Sequence, residues 1–188
     1  EGYELIEPDM SQAEARCTAY CSQELKLIAA LEDKTRDFYR TLGTLFFNMA
    51  YEEVTDFFRN KVLKRIVHGT NYMMGGKTFI ENITVKVLHE TALALGIKLV
   101  PIPRKGHPEE TTILAFAESL LAKYHVPFPR IREWYKEIYN EIATTGKLTG
   151  PTGNVRVFFG DIKRRHDMLR GAVAHQPQNL SVSILNKG

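Results

Sequence analysis

Between positions 64 and 72 the chain reads Lys-Arg-Ile-Val-His-Gly-Thr-Asn-Tyr, so that Lys64, His68 and Tyr72 recur at every fourth residue. An α-helix advances about 100° per residue, and a four-residue step therefore moves only about 40° around the axis; the three side chains share one face. Val62, Leu63, Ile66 and Val67 fall on the far side. Such a helix can sit in only one way, with its aliphatic flank on a core and a cation, an imidazole and a phenol turned outward. Gly69 costs it roughly 1 kcal/mol relative to alanine, which is tolerable where something must approach the backbone closely. The stripe by itself also suits an ordinary solvated surface helix.

The surrounding pattern is mostly helical. Tyr3-Glu4-Leu5-Ile6-Glu7 is strand-like and ends at Pro8, which cannot donate to a ladder. Ser11 reads as an N-cap with Glu14 at capping-box spacing, opening a helix that continues through Leu31 with a break near Ser22. Asp37 starts another helix through Phe46, and a long one is expected from about Glu52 to Met74, stopped by Gly75-Gly76. Thr78 is expected to cap the next, reaching Leu95. Lys98 to Pro108 holds three prolines and a glycine and reads as an extended connector. Helices follow over 109–124 and 130–143; in the second, Ile131, Trp134, Tyr135, Ile138 and Ile142 form a core-facing stripe. A small hairpin is expected over 148–159, a basic helix over 161–174, and a further helix from about Asn179. The fold class is mainly α, in the α+β sense of a helical body with a short strand in front and a hairpin behind.

With 188 residues, 44% hydrophobic and 25% charged, the chain has apolar mass for one domain or a core plus a lobe. No apolar run reaches the length of a membrane span and no signal peptide is visible, so a membrane partner is not expected and a cytoplasmic setting is. The opening on Glu1, directly into strand-like sequence, suggests a piece cut from a longer protein. Net charge is only +3, but Lys147 to Arg170 carries seven basic residues, counting His166, against two acidic ones. Cys17 and Cys21 lie four apart, and a zinc pair would need two further ligands that the sequence does not supply, so they read as free thiols in a reducing compartment.

Asp9 stands where a strand gives way to a helix, a position suited to a carboxylate that holds Mg²⁺ through oxygen, or equally to a plain helix-initiating acid. Gln12 and Glu14, on the first helical turn, can face the same pocket. A fixed cation at Lys64 with flat rings beside it suits a triphosphate together with a sugar and base.

These segments resemble the polymerase region of family A DNA polymerases, the bacterial DNA polymerase I type and its phage relatives. Asp9-Met10-Ser11-Gln12-Ala13-Glu14-Ala15-Arg16 is similar to that family's motif A, D-Y-S-Q-I-E-L-R, and Asp37-Phe38-Tyr39-Arg40 to its D-I-H-R element. Lys64 to Tyr72 resembles motif B, K-x-x-x-[FY]-G-x-x-Y-G. Leu148 to Arg156 is similar to the L-x-T-x-x-G-R-x-R turn, and Arg170 with Gln178 resembles the R-x(7)-Q pair. The five elements are collinear over nearly the whole chain.

The resemblance implies a helical fingers domain over 23–160, a palm strand and the start of the motif A helix over 1–22, and helices returning to the palm over 161–188. It implies that Asp9 and the Met10 carbonyl hold two Mg²⁺ ions and that Glu14, with Gln12 nearby, blocks a ribose 2′-hydroxyl. Lys64 would meet the triphosphate and donate a proton to departing pyrophosphate. Tyr39 would take the place of a triphosphate-contacting histidine, His68 would sit beside the sugar, and Tyr72 would stack at the templating position. Arg156, Arg170 and Gln178 would hold the primer-template. The implied partners are primer-template DNA, a dNTP and the remaining palm, thumb and exonuclease regions, in a bacterial or phage-infected cell.

Four departures stand out. The arginine that precedes the motif B lysine by four falls on Asn60, with Arg59 one step off; Met73 replaces the glycine after Tyr72; His68 replaces Phe or Tyr; and Tyr39 replaces histidine. The family's second metal carboxylate lies in an H-D-E turn downstream of the glutamine element, beyond Gly188, so the 188 residues alone are expected not to polymerise. His166-Asp167-Met168 reads as a solvated helix face instead. Gly75-Gly76-Lys77-Thr78 is not a phosphate loop, because Asn71 stands where that loop needs its first glycine and a helix leads in. The alternative class is a non-enzymatic helical DNA-binding domain that uses the Lys147–Arg170 tract on phosphates.

Overall fold

The aliphatic flank of the 62–67 segment lies in the core of the computed structural model, which describes residues 11–162 and 165–186. Val62, Leu63 and Ile66 are completely buried and Val67 is nearly so. Around them run α1 (Ala13–Ser22), α2 (Leu25–Glu32), α3 (Phe38–Phe47), a 3-10 turn (Tyr51–Glu53), a π-helical turn (Phe58–Leu63) leading into α4 (Lys64–Asn71), α5 (Gly76–Ile83) and α6 (Val85–Ala94). Then come β1 (Lys98–Leu99), β2 (Glu110–Thr111), α7 (Ile113–Tyr124), α8 (Arg130–Thr145), β3 (Lys147–Thr149), β4 (Val155–Val157) and α9 (His166–Leu185). β1 and β2 pair in parallel, Lys98 opposite Glu110, and β3 and β4 form the expected hairpin, Leu148 opposite Arg156. The mainly α expectation holds; Tyr3–Glu7, with Pro8, Asp9 and Met10, lies outside the described residues.

α4 is the central element: α1, α5 and α7 pack on it, while α1 also lies along α9 and α8 braces α9 and β3. The rings of Phe46, Tyr124 and Phe128 meet edge-to-face with centroids 5.2–6.4 Å apart, joining α3 to the α7–α8 corner. The whole α8 stripe, Ile131, Trp134, Tyr135, Ile138 and Ile142, is buried as its spacing requires. Gly69 has its close approach: a Cβ there would lie 3.3–3.4 Å from Leu121, Met74 and Phe79. Cys17 and Cys21 are free, and burial pushes both thiols up, Cys21 to about 12.

Several expected boundaries move, each for a physical reason. No Ser11–Glu14 capping box forms: α1 begins at Ala13, and its N-cap Gln12 is left-handed, φ 56°, with no side-chain cap. The long helix expected from Glu52 is broken at Val54-Thr55 and contains the π turn. Gly75, not Thr78, caps α5, and the helix expected to reach Leu95 is interrupted at Thr84, φ 72° and ψ 144°. The helix expected from 109 starts only after Thr112, whose hydroxyl accepts from the Ala115 amide; Glu110 is held instead in the strand by Arg104 and Lys98. The two helices expected after 161 are a single one that carries Pro177 within it. Gln176 bonds Trp134 and Thr149, and Asn179 bonds Thr152 and Asn154, so side-chain ties to α8 and the hairpin hold α9 on both sides of the proline.

Candidate functional site

The outward face of α4 does not meet open solvent alone. It forms one wall of a cleft of about 510 Å³ whose other wall is the start of α1, Gln12 to Ala15. Tyr39 from α3 and Asn60 from the π turn complete the lining, and α4 contributes Lys64, Arg65, Val67, His68 and Asn71. Lys64, Arg65 and His68 are exposed, and neither Lys64 nor Arg65 has a salt-bridge partner among the described residues. Two cations without a carboxylate partner among the described residues therefore share the cleft with Gln12 and Glu14.

The two walls touch at one point: the Glu14 carboxylate lies 3.0 Å from His68 Nδ1, a charge-assisted contact when the imidazole is protonated. This contact explains the missing capping box, because Glu14 reaches across the cleft and not back to its own helix. Behind it, the His68 and Tyr72 rings pack edge-to-face, 5.1 Å between centroids. The Tyr72 hydroxyl is buried near Glu14 and Gln178, without a hydrogen bond of good geometry to either. Burial first, then Glu14, pushes its pKa up, so it stays a neutral phenol.

The π turn accounts for the arginine that seemed one residue out of place. In a π turn the hydrogen bonds run i→i−5, here from the Lys64 amide to the Arg59 carbonyl. Arg59 and Lys64 are five apart in sequence yet flank the same ring: the Arg59 guanidinium carbon and the Lys64 ammonium each lie 5.4 Å from the Tyr39 centroid. Arg59 itself does not line the cleft. Its Nε and Nη2 grip both carboxylate oxygens of Asp37 at 2.9 and 2.7 Å, and Nη1 bonds the Asn60 side chain. Burial would raise the Asp37 pKa, but the Arg59 and Arg40 bonds outweigh it and hold the carboxyl below its usual value. Asp37 meanwhile caps α3 through the Arg40 amide. The Asp37–Arg59 clamp thus sets the Tyr39 ring as the floor between the two cations; the ring is half-buried, and burial raises its phenol pKa.

At its C-terminal end α4 stops at Tyr72, and Met73 turns left-handed with φ 52°. The Met74 amide bonds the Gly69 carbonyl at 2.8 Å and the Met73 amide bonds Thr70 at 3.0 Å, the two bonds of a Schellman motif. A glycine usually fills that position, and here a methionine does.

The structure therefore brings Gln12, Glu14, Tyr39, Lys64 and His68 to one cleft, with Arg59 and Tyr72 immediately behind it. Asp9 and Met10 lie outside the described residues. Arg156, Arg170 and Gln178 are exposed on β4 and α9 and do not line the cleft, although Gln178 lies near the Tyr72 hydroxyl behind it; Arg156 stacks on Phe158. The sequence reading missed Arg65, Asn60 and Asn71. Asn71 is buried, accepts from Tyr124 Oη and has no pattern to mark it, while Arg65 could have been found as the cation next to Lys64. A separate His107-Glu109-Glu110 group lies in the 98–111 connector, where Arg104 and Lys98 already occupy Glu110 and hold its pKa down at about 2. Among the described residues no helix is long and apolar enough to cross a membrane.

Neither the protein-family models nor the curated proteins contain a match to this sequence. Among solved structures, the chain is similar to the polymerase domain of Pol1 from M. smegmatis, determined in complex with DNA primer-template and dNTP. The TM-score is 0.62 at 17% identity, over 89% of this chain and 25% of that one, so the chain spans about a quarter of that structure. At this identity the likeness is one of fold, and it shows the mainly α, fingers-like architecture of a polymerase domain.

Proposed function

We propose that the chain is the fingers region, with the beginning of the palm, of a family A DNA-directed DNA polymerase of phage-like type, and that the α1–α4 cleft receives the incoming deoxynucleoside triphosphate. The observation that carries this reading is the pair of unpaired cations, Lys64 and Arg65, facing Gln12 and Glu14 across a cleft in a fold shared with a polymerase domain. Lys64 and Arg65 neutralise the triphosphate over the Tyr39 ring, and Lys64 can hold the proton that departing pyrophosphate takes up. Glu14, drawn against His68, crowds the sugar side where a 2′-hydroxyl would enter. Tyr72, fixed by burial, marks the templating side. Arg156, Arg170 and Gln178 hold the duplex. The reaction is attack of a primer 3′-hydroxyl on the α-phosphate, within a polymerase that also supplies palm, thumb and exonuclease regions, in a cytoplasmic setting.

Two Mg²⁺ ions would supply charge neutralisation at the attacking and leaving oxygens. On the described wall the one carboxylate is Glu14, and His68 holds it, so this wall is a triphosphate and sugar surface rather than a metal cage. The ligands the reading assigns to the ions are Asp9 and the Met10 carbonyl. The chain alone, on this reading, binds nucleotide without polymerising.

Replacing Lys64 by Ala removes a charge-assisted phosphate contact, which corresponds to roughly 10- to 100-fold in affinity for a fluorescent dATP analogue followed by anisotropy. Unchanged affinity would reject the triphosphate role. In the complete enzyme Asp9→Ala should abolish synthesis with little change in duplex affinity; retained synthesis rejects the metal role and favours a DNA-binding module.

A further inference from the structure

Glu14 stands near two hydrogen-bond donors on successive turns of α4, and it holds only one of them. Its Oε2 lies 3.0 Å from His68 Nδ1, with both side chains half-exposed at the cleft. The other donor is the Tyr72 hydroxyl, one turn further along, which is buried close to Glu14 and has no hydrogen-bond partner among the described residues. A buried hydroxyl without a partner is unfavourable, so a nearby carboxylate that turns elsewhere needs the stronger partner there. An imidazolium is such a partner. A neutral imidazole is not: its Nδ1 either donates an ordinary hydrogen bond or, in the other tautomer, turns a lone pair toward the carboxylate. The balance between the two donors therefore turns on one proton.

Few charged groups surround His68. In the cleft lining, α1 offers Glu14 as the one carboxylate beside neutral Gln12, Tyr39 and Asn60 are neutral, and α4 itself adds Lys64 and Arg65. α5 and α7 meet α4 at Gly69 and contribute nothing to the lining. Around the Tyr72 hydroxyl stand the neutral Gln178 of α9 and Cys17, a thiol that burial keeps protonated. The two positions open to Glu14 also differ in what they do to the cleft, because His68 lines it and Tyr72 does not. Held by His68, the carboxylate stands over the cleft; held by Tyr72, it is drawn behind.

We propose that His68 is the positioning residue for Glu14 and that its proton sets the sugar preference of the cleft. The imidazolium holds the carboxylate where a 2′-hydroxyl would enter, and the neutral ring releases it to Tyr72. The two rings are in edge-to-face contact, so a rotation about the Glu14 side-chain bonds carries the carboxylate from one to the other. The sugar assignment rests on the polymerase reading; the two positions of Glu14 do not.

The test is the ratio of dATP to ATP affinity on the 188-residue chain, measured by competition with the fluorescent dATP analogue from about pH 5.5 to about pH 7.5, either side of the ordinary imidazole range. Taking the ratio at each pH cancels the titration of the triphosphate, which both nucleotides share. The preference for dATP should fall about fivefold over that range, the difference between a charge-assisted and a neutral hydrogen bond. His68→Phe should give the lower preference throughout, and His68→Lys, a permanent cation, the higher one. Tyr72→Phe removes the alternative donor and should reduce the fall to less than about twofold. His68 is exposed, so unchanged circular dichroism and urea midpoints should accompany its variants. A second readout needs no nucleotide. The carbon-13 resonance of the Glu14 carboxyl, identified by its loss in Glu14→Gln, should follow the His68 ring protons through their titration and stay still over the same range in His68→Phe. The proposal is overturned if that resonance ignores the imidazole, or if both nucleotides bind and their ratio holds steady with pH. If no nucleotide binds while the carboxyl still follows the imidazole, the polymerase reading falls and takes the sugar preference with it, and the Glu14 switch stands.

Discussion

α8 and the helical run from 56 to 71 are two long amphipathic stretches of this molecule, and they obey local rules to different degrees. α8 is a single regular helix of 16 residues, with its apolar stripe buried, Glu133 and Glu137 paired by Arg130 and a left-handed Gly146 at its end. The 56–71 run buries its aliphatic flank just as well, yet it holds a π turn in the middle and a left-handed methionine after its end. The irregularities lie beside Tyr39, Lys64 and Tyr72, and the regular helix reaches the end of the run through the Tyr135 hydroxyl, which donates to the Thr70 carbonyl. A sequence departs from its own best local structure where something other than stability sets the geometry. α8 is the scaffold, and the α4 run is the working surface.

The sharpest way to break that contrast is to attack the scaffold. Ile138 is 2% exposed in the α8 stripe, and truncation to Ala should destabilise the chain by about 2–5 kcal/mol, read as a lower urea midpoint. If Ile138→Ala cost no more than Lys64→Ala, an exposed change on the other helix, the division of labour would be wrong.

How much of this could be read beforehand follows the same division. The α8 stripe, the Asp37 cap and the β3–β4 hairpin are legible because each is decided by residues within one or two turns of one another. Lys64 and His68 were placed on one face by their spacing alone, and the cleft opposite them was expected from a resemblance that brought Gln12 and Glu14 along. The π turn was not legible. Its evidence in the sequence was an arginine five instead of four residues before Lys64, which by itself is only a mismatch; it becomes a structural statement once the Asp37–Arg59 clamp and the Tyr39 ring are in place. The Glu14–His68 contact spans 54 residues, so a capping box was the better local reading. The break at Thr84 did leave a trace: Ile83, Thr84 and Val85 are three β-branched residues in a row, poor company inside a helix.

A second test acts on the scaffold through pH. His125, at the end of α7, is half-buried against Tyr124 and Tyr135, and its buried Nδ1 makes no hydrogen bond among the described residues. Burial, and after it Arg132, lowers its pKa from 6.5 to about 4. The folded state therefore prefers the neutral ring, while the unfolded chain takes up a proton first as pH falls through 6.5. Stability should decline from pH 6.5 toward 4 and lose nothing further from this group below that. His125→Phe keeps the ring contacts and should remove this part of the decline. Parallel urea-midpoint profiles for wild type and variant over that range would show that His125 is not the cause.

The smallest effect probes the working surface directly. Met73 holds φ 52° with a side chain that glycine would not have, and a left-handed non-glycine residue costs roughly 1–2 kcal/mol. Met73→Gly relieves that strain but also loosens the unfolded chain, because glycine has more conformations to lose on folding. The net expectation is a gain of about 0.5–1 kcal/mol in unfolding free energy, with the Schellman bonds from Met73 and Met74 kept. The comparison with α8 makes the sign informative. At the end of α8 the left-handed position is already glycine, so Gly146→Met should destabilise by a similar amount. If the two swaps move stability in opposite directions, the methionine is a local cost that α4 bears at its end. If Met73→Gly destabilises instead, the thioether is ordinary core packing and the 56–71 run ends by the same rule as the scaffold.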